Sequence, residues 1–458
     1  MTMQTHDFQQ ANSAHHIQPF TDNKALAAKG ARIITKADGC YIWDSEGNKI
    51  LDGMAGLWCM NVGYGRDEIA DAVAAQMREL PYYNTFFQTS HPPAIALAER
   101  LAKLAPAHIN HVFFTGSGSD SNDTILRMVR HYWASLGKKD KKVVISRKNA
   151  YHGSTVAGAS LGGMTPMHEQ GDLPIPNITH INQPYWYGEG GDMSPEEFGL
   201  ARARELEAEI ERLGEDRVAA FIAEPIQGAG GVIVPPATYW PEIQRICDAH
   251  EILLIADEVI TGFGRTGNWF GSETVGIKPD FMPIAKGLSS GYLPIGGVML
   301  SDRAAQVLIQ EGGEFNHGYT YSGHPAACAA AMANLDIIER EGLVERVRDD
   351  IGPYMQQRWA ELGEHPMVGE ARMVGLMGAI ELTPDKVARA PWSADKGTVG
   401  LMCREHCFNN NLVMRHVGDT MIISPPLTIS REQVDELIEK AKRCLDLTWE
   451  QTAAEGLR

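Results

Sequence analysis

The sequence predicts an α/β protein with a large domain on a mainly parallel sheet and a smaller α+β domain. Short apolar runs alternate with helical stretches from about residue 110 to 330, which is typical of buried parallel strands covered by helices. The chain has 458 residues, enough for two domains when an α/β core takes about 200. Hydrophobic residues make up 44% and charged residues 22%, which excludes disordered, collagen-like and coiled-coil classes.

The N-terminal part, residues 1 to about 60, is predicted to contain a small sheet. Residues 40–44 and 49–52 alternate in polarity around turn glycines, as short strands do. Residues 66–110 then follow a helical pattern. The candidate strands of the parallel sheet are VVISR (143–147), VAAFIAEP (218–225), EILLIADEV (251–259), FMPIAK (281–286) and GGVMLS (296–301).

A long alanine-rich helical pattern begins near residue 330 and leads into a final α+β segment. We therefore expect residues 61–335 to form the large domain and residues 336–458 the small C-terminal domain. We expect residues 1–60 to contribute to the small domain as well.

Charge, hydropathy and cysteine content exclude several classes of partner and site. The chain has 41 basic and 58 acidic residues, and this net charge of −17 repels nucleic acid and anionic membrane surfaces. The sequence has no apolar run long enough to span a membrane and no signal-peptide pattern, so we expect a cytoplasmic protein. Its seven scattered cysteines include no C-x-x-C pair, so we expect neither a disulfide framework nor a metal site.

Polar residues close three of the apolar runs, where ligands bind in an open parallel sheet. Glu224 and Asp257 supply carboxylates, and Lys286 supplies an amine. Such a set is either a buried ion pair or a site. Glycines and small residues around Lys286 let a planar ligand approach the backbone. A partly desolvated lysine can form a Schiff base with a cofactor aldehyde, such as that of pyridoxal phosphate (PLP).

The other demands of PLP also have candidates. Asp257 can keep the pyridine nitrogen protonated through a charge-assisted hydrogen bond. The Gly/Ser turn at 116–119 runs into a helical pattern, whose free N–H groups can bind a phosphate. Tyr151 offers an aromatic face. The turn is not a dinucleotide fingerprint, because Ser121 stands where the third glycine would be.

Six motifs together carry a resemblance that covers nearly the whole chain: FFTGSGS at 113, YHGS at 151, EPIQGAGG at 224, DEVITGFGRTG at 257, AKGLSSGYLPIGG at 285 and TYSGHP at 320. In this order and spacing they resemble the class III aminotransferases, PLP enzymes of the aspartate-aminotransferase-like fold, called fold type I. Trp58, the stretch PYYNTFFQTSHP and Arg415 are similar to the omega branch, the amine:pyruvate or putrescine:pyruvate aminotransferases.

The resemblance implies roles at the cofactor. Lys286 would bind the aldehyde and shuttle the proton, Asp257 would hold the ring nitrogen, and Tyr151 and Val259 would face the two sides of the ring. The implied cofactor-binding residues are Ser117, Gly118, Tyr151, His152, Glu224, Asp257, Val259, Lys286 and Thr320.

The resemblance also implies a substrate pocket and a partner. Trp58, Phe86 and Tyr151 would line the pocket, and Arg415 would bind a substrate carboxylate in a bidentate fork. Thr320 would reach the phosphate of the neighbouring subunit. The protein would then be at least a homodimer with shared active sites and dimer contacts from residues 1–60, with a tetramer as the alternative.

Two positions depart from the family pattern. Ile260 stands where many members have glutamine, so a polar contact to the ring is in question. Asp120-Ser121 replaces the usual Glu-Ala after the phosphate turn, and the shorter carboxylate is expected to organise that turn less firmly.

We therefore predict a PLP-dependent aminotransferase that moves an amino group from a primary amine, diamine or omega-amino acid to pyruvate by a ping-pong mechanism. We expect Arg415 to be mobile, because a fixed buried guanidinium would be left unpaired by an amine without a carboxylate. The alternatives are another fold type I enzyme, such as an aminomutase, racemase or decarboxylase, a non-catalytic PLP-fold protein, or a lysine-dependent aldolase without cofactor.

Overall fold

The computed structural model describes residues 4–458. The N-terminal segment folds into two exposed helices, three strands and one irregular turn: α1 (Thr5–His15), α2 (Asn23–Lys29), β1 (Ile34–Asp38), β2 (Tyr41–Asp44), β3 (Lys49–Asp52) and α3 (Ala55–Trp58). Strands β2 and β3 coincide with the two segments whose alternation predicts them.

The middle of the chain alternates strands and helices as predicted. Its elements are α4 (Asp67–Glu79), α5 (Pro92–Leu104), β4 (Ile109–Thr115), α6 (Gly118–Ser135), β5 (Val143–Arg147), α7 (Val156–Leu161), α8 (Thr165–Gly171), β6 (Ile178–Ile181), α9 (Trp186–Glu189), α10 (Pro195–Leu213), β7 (Val218–Ala223), α11 (Tyr239–Ala249), β8 (Leu253–Ala256), α12 (Gly271–Val275), β9 (Phe281–Ile284), a 3₁₀ turn (Lys286–Leu288), β10 (Gly296–Ser301), α13 (Asp302–Gln310) and α14 (Pro325–Arg340).

Seven of these strands form the central sheet, in the order β4-β10-β9-β8-β7-β5-β6. The strands from β9 to β6 pair in parallel, whereas β10 is antiparallel to both of its neighbours. The sheet is buried on both faces. One face packs against α6, α7 and α13, and the other against α10 and α11. The predicted α/β class with a mainly parallel sheet is confirmed.

The C-terminal part contains the second sheet. Its elements are α15 (Leu343–Asp349), α16 (Ile351–Ala360), a 3₁₀ turn (Glu361–Glu364), β11 (Val368–Val374), β12 (Met377–Leu382), α17 (Thr398–Asn409), β13 (Leu412–Val413), β14 (Arg415–Val417), β15 (Thr420–Ile423) and α18 (Arg431–Ala454). Strands β11, β12, β15 and β14 form an antiparallel sheet in that order. The boundary predicted at residue 335 falls inside α14, and the division into domains stays a prediction.

The two ends of the chain meet in the third sheet, of order β1-β2-β3-β13. Strand β13 is parallel to β3, with Leu412 opposite Leu51 and Val413 opposite Asp52. Arg415, the first residue of β14, follows β13 by two residues, so the pairing of β13 with β3 fixes where β14 begins. No helix within residues 4–458 is both long and apolar enough to cross a membrane.

Candidate active site

A cavity of about 810 Å³ opens at the carboxyl ends of β7, β8 and β9, beside the start of α6. It lies where an open parallel sheet binds ligands. Ten of the predicted site residues line it: Trp58, Ser117, Gly118, Tyr151, His152, Glu224, Asp257, Val259, Lys286 and Arg415.

Asp257 follows β8 and is 4% exposed. Its Oδ2 accepts hydrogen bonds from Nδ1 of His152 at 2.7 Å and from Nδ2 of Asn122 at 3.0 Å. Its Oδ1 accepts one from the backbone N–H of Val259 at 3.1 Å. These three donors fix the carboxylate, and Oδ1 keeps the capacity to accept a further hydrogen bond.

Lys286 follows β9 and opens the 3₁₀ turn that ends at Leu288. Nδ2 of the buried Asn334 in α14 donates to the carbonyls of Gly287 and Leu288 at 2.9 and 3.0 Å, so this helix holds the turn in place. Lys286 has a positive φ of 45°, which is uncommon for a residue with a side chain and typical of functional sites.

The amine of Lys286 projects into the cavity and makes no hydrogen bond within the described chain. Burial lowers the pKa of Lys286, and the negative charge of Asp257 opposes this effect. The positive charge of Arg415 lowers that pKa further. The environment therefore increases the neutral fraction of the amine, the form that attacks a carbonyl.

The turn before α6 presents free donors to the same cavity. Ser117 is the N-cap residue, and its Oγ accepts from the N–H of Asp120 at 3.2 Å. The N–H groups of Gly118 and Ser119 have no acceptor in the described part of the chain. A Cβ on Gly118 would lie 3.0 Å from Cγ2 of Val259, so glycine permits this close approach. The start of the 18-residue helix can thus accept an anion.

Ser121, at one of the two positions that depart from the family pattern, stabilises this turn through hydrogen bonds. Its hydroxyl donates to the carbonyl of Ser117 at 2.9 Å and lies 2.8 Å from the hydroxyl of Thr115. The hydroxyl of Thr115 and the N–H of Ser121 also donate to the Ser117 carbonyl. The shorter carboxylate of Asp120 predicts a less firmly organised turn. The hydroxyl of Ser121, however, supplies contacts that an alanine cannot make.

Glu224 is a buried carboxylate that contacts the backbone of Tyr151. Its Oε1 accepts from the N–H of Tyr151 at 3.2 Å and its Oε2 from the N–H of Gly228 at 2.8 Å. Burial raises the pKa of Glu224. Ile260, the other departure, also lines the cavity and packs against Gly228, so this wall is apolar.

Phe86 and Thr320 lie outside the cavity. They belong to two neighbouring surface segments, where the hydroxyl of Tyr82 donates to the carbonyl of Thr320 at 2.7 Å. Tyr82, Phe87 and Tyr321 are exposed here, with Tyr321 67% exposed. One chain therefore does not bring these two residues to its own cavity.

The donor set fits PLP. An amine, a fixed carboxylate and two free helix N–H groups line one cavity, as the aldehyde, ring nitrogen and phosphate require. Two buried atoms on the cavity wall, Oδ1 of Asn122 and Nε2 of His152, also lack partners within residues 4–458, so the wall can still bind a polar ring substituent.

Comparison with known proteins gives the family. The family model described as "Aminotransferase class-III" matches residues 25–445. The chain belongs to the class III aminotransferases. It is an aminotransferase, as the motifs predict, and the predicted fold type I is confirmed.

Three relatives of this aminotransferase illustrate the match. The putrescine–pyruvate aminotransferase of Pseudomonas aeruginosa is 64% identical over 97% of both chains. The diaminobutyrate–2-oxoglutarate transaminase of Halomonas elongata is 43% identical over 97% of this chain and 96% of that one. The omega transaminase of Pseudomonas jessenii, solved in complex with PMP, is 40% identical with a TM-score of 0.95, covering 97% of this chain and 99% of that chain.

The aminotransferase cavity also contains residues that no sequence pattern indicated. Asn122 lies inside α6 and donates to Asp257, and Phe20 packs edge-on against Tyr151 with ring centroids 6.5 Å apart. Arg404 of α17 lines the cavity as well as Arg415. Of these residues, only Asn122 could have been found from the sequence, because a polar side chain on the buried face of a helix needs a hydrogen-bond partner.

Proposed function

We propose that this aminotransferase depends on PLP and moves an amino group from a primary amine, in particular a diamine such as putrescine, to pyruvate. The proposal rests on one observation above others: the Lys286 amine and the fixed Asp257 carboxylate line one cavity. The 64% identity to a putrescine–pyruvate aminotransferase supports this donor and acceptor.

We assign the cofactor contacts as follows. Asp257 would hold the protonated ring nitrogen, the N–H groups of Gly118 and Ser119 would bind the phosphate, and Tyr151 and Val259 would cover the ring faces. His152 would orient Asp257, and Glu224 would hold the backbone of Tyr151. When bound, PLP supplies an aldehyde that carries the amino group and a ring that accepts the electron pair released by the substrate carbon.

Lys286 would move the proton. Its neutral Nζ would take a proton from the amine-bearing carbon of the donor and pass it to the cofactor carbon that carries the amino group, and in the second half-reaction it would move a proton back from there to the former carbonyl carbon of pyruvate. Both substrates use one cavity in turn, so the kinetics are ping-pong.

The substrate side combines an apolar wall with a cation. Trp58 is buried, and its indole N–H has no partner within residues 4–458. Arg415 forms no salt bridge with a carboxylate in the described chain. Burial lowers the pKa of its guanidinium. We propose that Trp58 packs against the carbon chain of the donor and that Arg415 binds the carboxylate of pyruvate. Omega-amino acids and arylalkyl amines are the alternative donors.

We further propose a homodimer with shared sites. Exposed aromatic side chains at Tyr82, Tyr83, Phe87 and Tyr321 form an apolar patch around Phe86 and Thr320. A second copy covering this patch would bring its Phe86 and Thr320 to the neighbouring cavity. We place the reaction in the cytoplasm, where a reducing environment keeps the seven free cysteines as thiols.

The absorbance spectrum of the purified protein with PLP tests this function. We expect a yellow band at about 400 nm that bleaches with putrescine and returns with pyruvate. β-Alanine and 1-phenylethylamine, added separately, rank the other donors. Lys286→Ala is the control and should lack the band. A band that persists in this variant, or a wild type without one, contradicts the proposal.

A further inference from the structure

Arg404 is a second guanidinium on the wall of the substrate cavity. It lies on α17, which packs against the strand that begins with Arg415, and both side chains line the same space. The Arg404 side chain is 37% exposed, so water and a ligand can both reach it.

The groups around Arg404 leave its charge available. The guanidinium lies over the ring of Phe408 at 4.7 Å, and its Nη1 is 3.4 Å from Oε1 of Glu405, at the outer limit of a hydrogen bond. Glu405 is shared, because its other oxygen pairs with Lys29 of α2.

The two arginines differ in burial: burial lowers the pKa of Arg415, whereas the Arg404 side chain is 37% exposed. The charge of Arg415 acts on the pKa of Lys286, and the charge of Arg404 acts on the pKa of Arg415. Both arginines also lower the pKa of His416, which burial lowers most and which lines the same wall. Arg404 therefore lies on the more exposed part of the cavity wall and Arg415 on the more buried part.

Two guanidiniums on one wall repel each other, and an anion between or beside them offsets that repulsion. Pyruvate carries its carboxylate next to the reacting carbon, so the more buried Arg415 is its candidate partner. An omega-amino acid carries its carboxylate at the far end of a carbon chain, away from the reacting amine.

We propose that Arg404 determines donor specificity by binding the remote carboxylate of omega-amino acids, while Arg415 serves the carboxylate next to the reacting carbon. This inference rests on the proposed function, since it assigns a binding residue to one of the alternative donor classes of the same cavity. The donors it favours are chains with an amine at one end and a carboxylate at the other.

Donor kinetics with pyruvate test the assignment. We compare 5-aminopentanoate, 4-aminobutyrate, putrescine and butylamine, which lacks the carboxylate. In Arg404→Gln, kcat/KM for the two amino acids should fall about tenfold, as expected for the loss of a charge-assisted hydrogen bond, whereas butylamine should stay within about twofold. Glu405→Gln removes a competing carboxylate and should raise kcat/KM for the amino acids by about twofold.

Arg32→Gln is the matched control. Arg32 lies over the same Phe408 ring at 5.2 Å and donates to the Phe408 carbonyl at 2.8 Å, but it does not line the cavity. Its loss should not change the ratio between 5-aminopentanoate and butylamine. Equal losses for these two donors in Arg404→Gln would show a structural role only and overturn the inference.

A binding measurement separates this inference from the proposed function. Titration calorimetry of the holoenzyme with glutarate, which has two carboxylates and no amine, should give a Kd about tenfold weaker in Arg404→Gln and unchanged in Arg32→Gln. The same Kd in all three proteins overturns the inference, as does a wild type that turns over putrescine but neither amino acid. A wild type that transfers no amino group from any donor overturns the proposed function instead.

Discussion

Asp257 shows at the residue scale how a buried carboxylate is kept in one orientation. Its three donors come from three places, the helix α6, the loop after β5 and its own backbone two residues on. Each donor satisfies a lone pair that would otherwise be costly to bury. The arrangement leaves the remaining acceptor capacity of Oδ1 for the ring nitrogen of the proposed cofactor.

Asn122→Ala should weaken this orientation. Loss of one of the two donors to Oδ2 is expected to lower the affinity for PLP about tenfold, measured by titration of the yellow absorbance band. Asn110→Ala is the matched control, because Asn110 donates to the exposed Asp302 away from the cavity. Equal PLP affinity in both variants would mean that Asn122 does not orient Asp257.

Lys286→Met should make the protein without PLP more stable at neutral pH. The folded state lowers the pKa of Lys286 from its ordinary value of 10.5, so it binds the proton less readily than the unfolded chain. Wild-type stability therefore rises with pH between the lowered pKa and about 10.5, and the advantage of the variant shrinks over that range. Urea unfolding at pH 7 and pH 10 measures this, with the exposed Lys24→Met as control. A gain that does not shrink at high pH would contradict the expectation.

Arg415→Ala should separate the two half-reactions. The variant is expected to slow the reaction with pyruvate by at least about tenfold and to change the reaction with putrescine by no more than about twofold, because only pyruvate has a carboxylate. Stopped-flow absorbance follows each half-reaction alone. Equal losses in both would be inconsistent with a carboxylate-binding role.

At the scale of the element, the start of α6 depends on one carbonyl. The Ser117 carbonyl accepts from the hydroxyls of Thr115 and Ser121 and from the N–H of Ser121. This cluster fixes the direction in which the N–H groups of Gly118 and Ser119 point. Gly153 packs against Ser119 from the other side, where a Cβ would lie 2.8 Å from the Ser119 Cα.

Ser121→Ala should therefore affect both stability and cofactor binding. We expect the free energy of unfolding to fall by about 1 kcal/mol and the affinity for PLP to fall with it. Ser135→Ala is the matched control, since the Ser135 hydroxyl donates to the His131 carbonyl near the other end of α6. If both variants bind PLP alike, Ser121 contributes to stability alone.

At the scale of the whole molecule, the sequence predicts the centre of the sheet better than its edges. Strands β5, β7, β8, β9 and β10 coincide with mostly apolar runs, because both of their faces are buried. Strands β4 and β6 lie at the two edges and carry polar side chains such as Asn110 and His180, so no apolar run marks them. Arg404 was missed for a similar reason, because a charged residue on a partly exposed helix has no distinguishing pattern.

The exposed aromatic patch gives a prediction at the same scale. In the proposed homodimer, Tyr321→Glu should shift the protein from dimer to monomer in sedimentation velocity and lower its affinity for PLP, because Thr320 of a second copy would no longer reach the phosphate. Val387→Glu is the control, since Val387 is 96% exposed in the loop after β12. A Tyr321→Glu variant that remains dimeric would place the interface elsewhere.

The pairing of β3 with β13 has a consequence for synthesis on the ribosome. About 360 residues separate Leu51 from Leu412, so at roughly 5 to 20 residues per second the first strand waits about 20 to 70 s for its partner. During that time Ile50 and Leu51, both fully buried in the finished protein, lie on an open sheet edge. We therefore expect this edge to be prone to aggregation until nearly nine-tenths of the chain has been made.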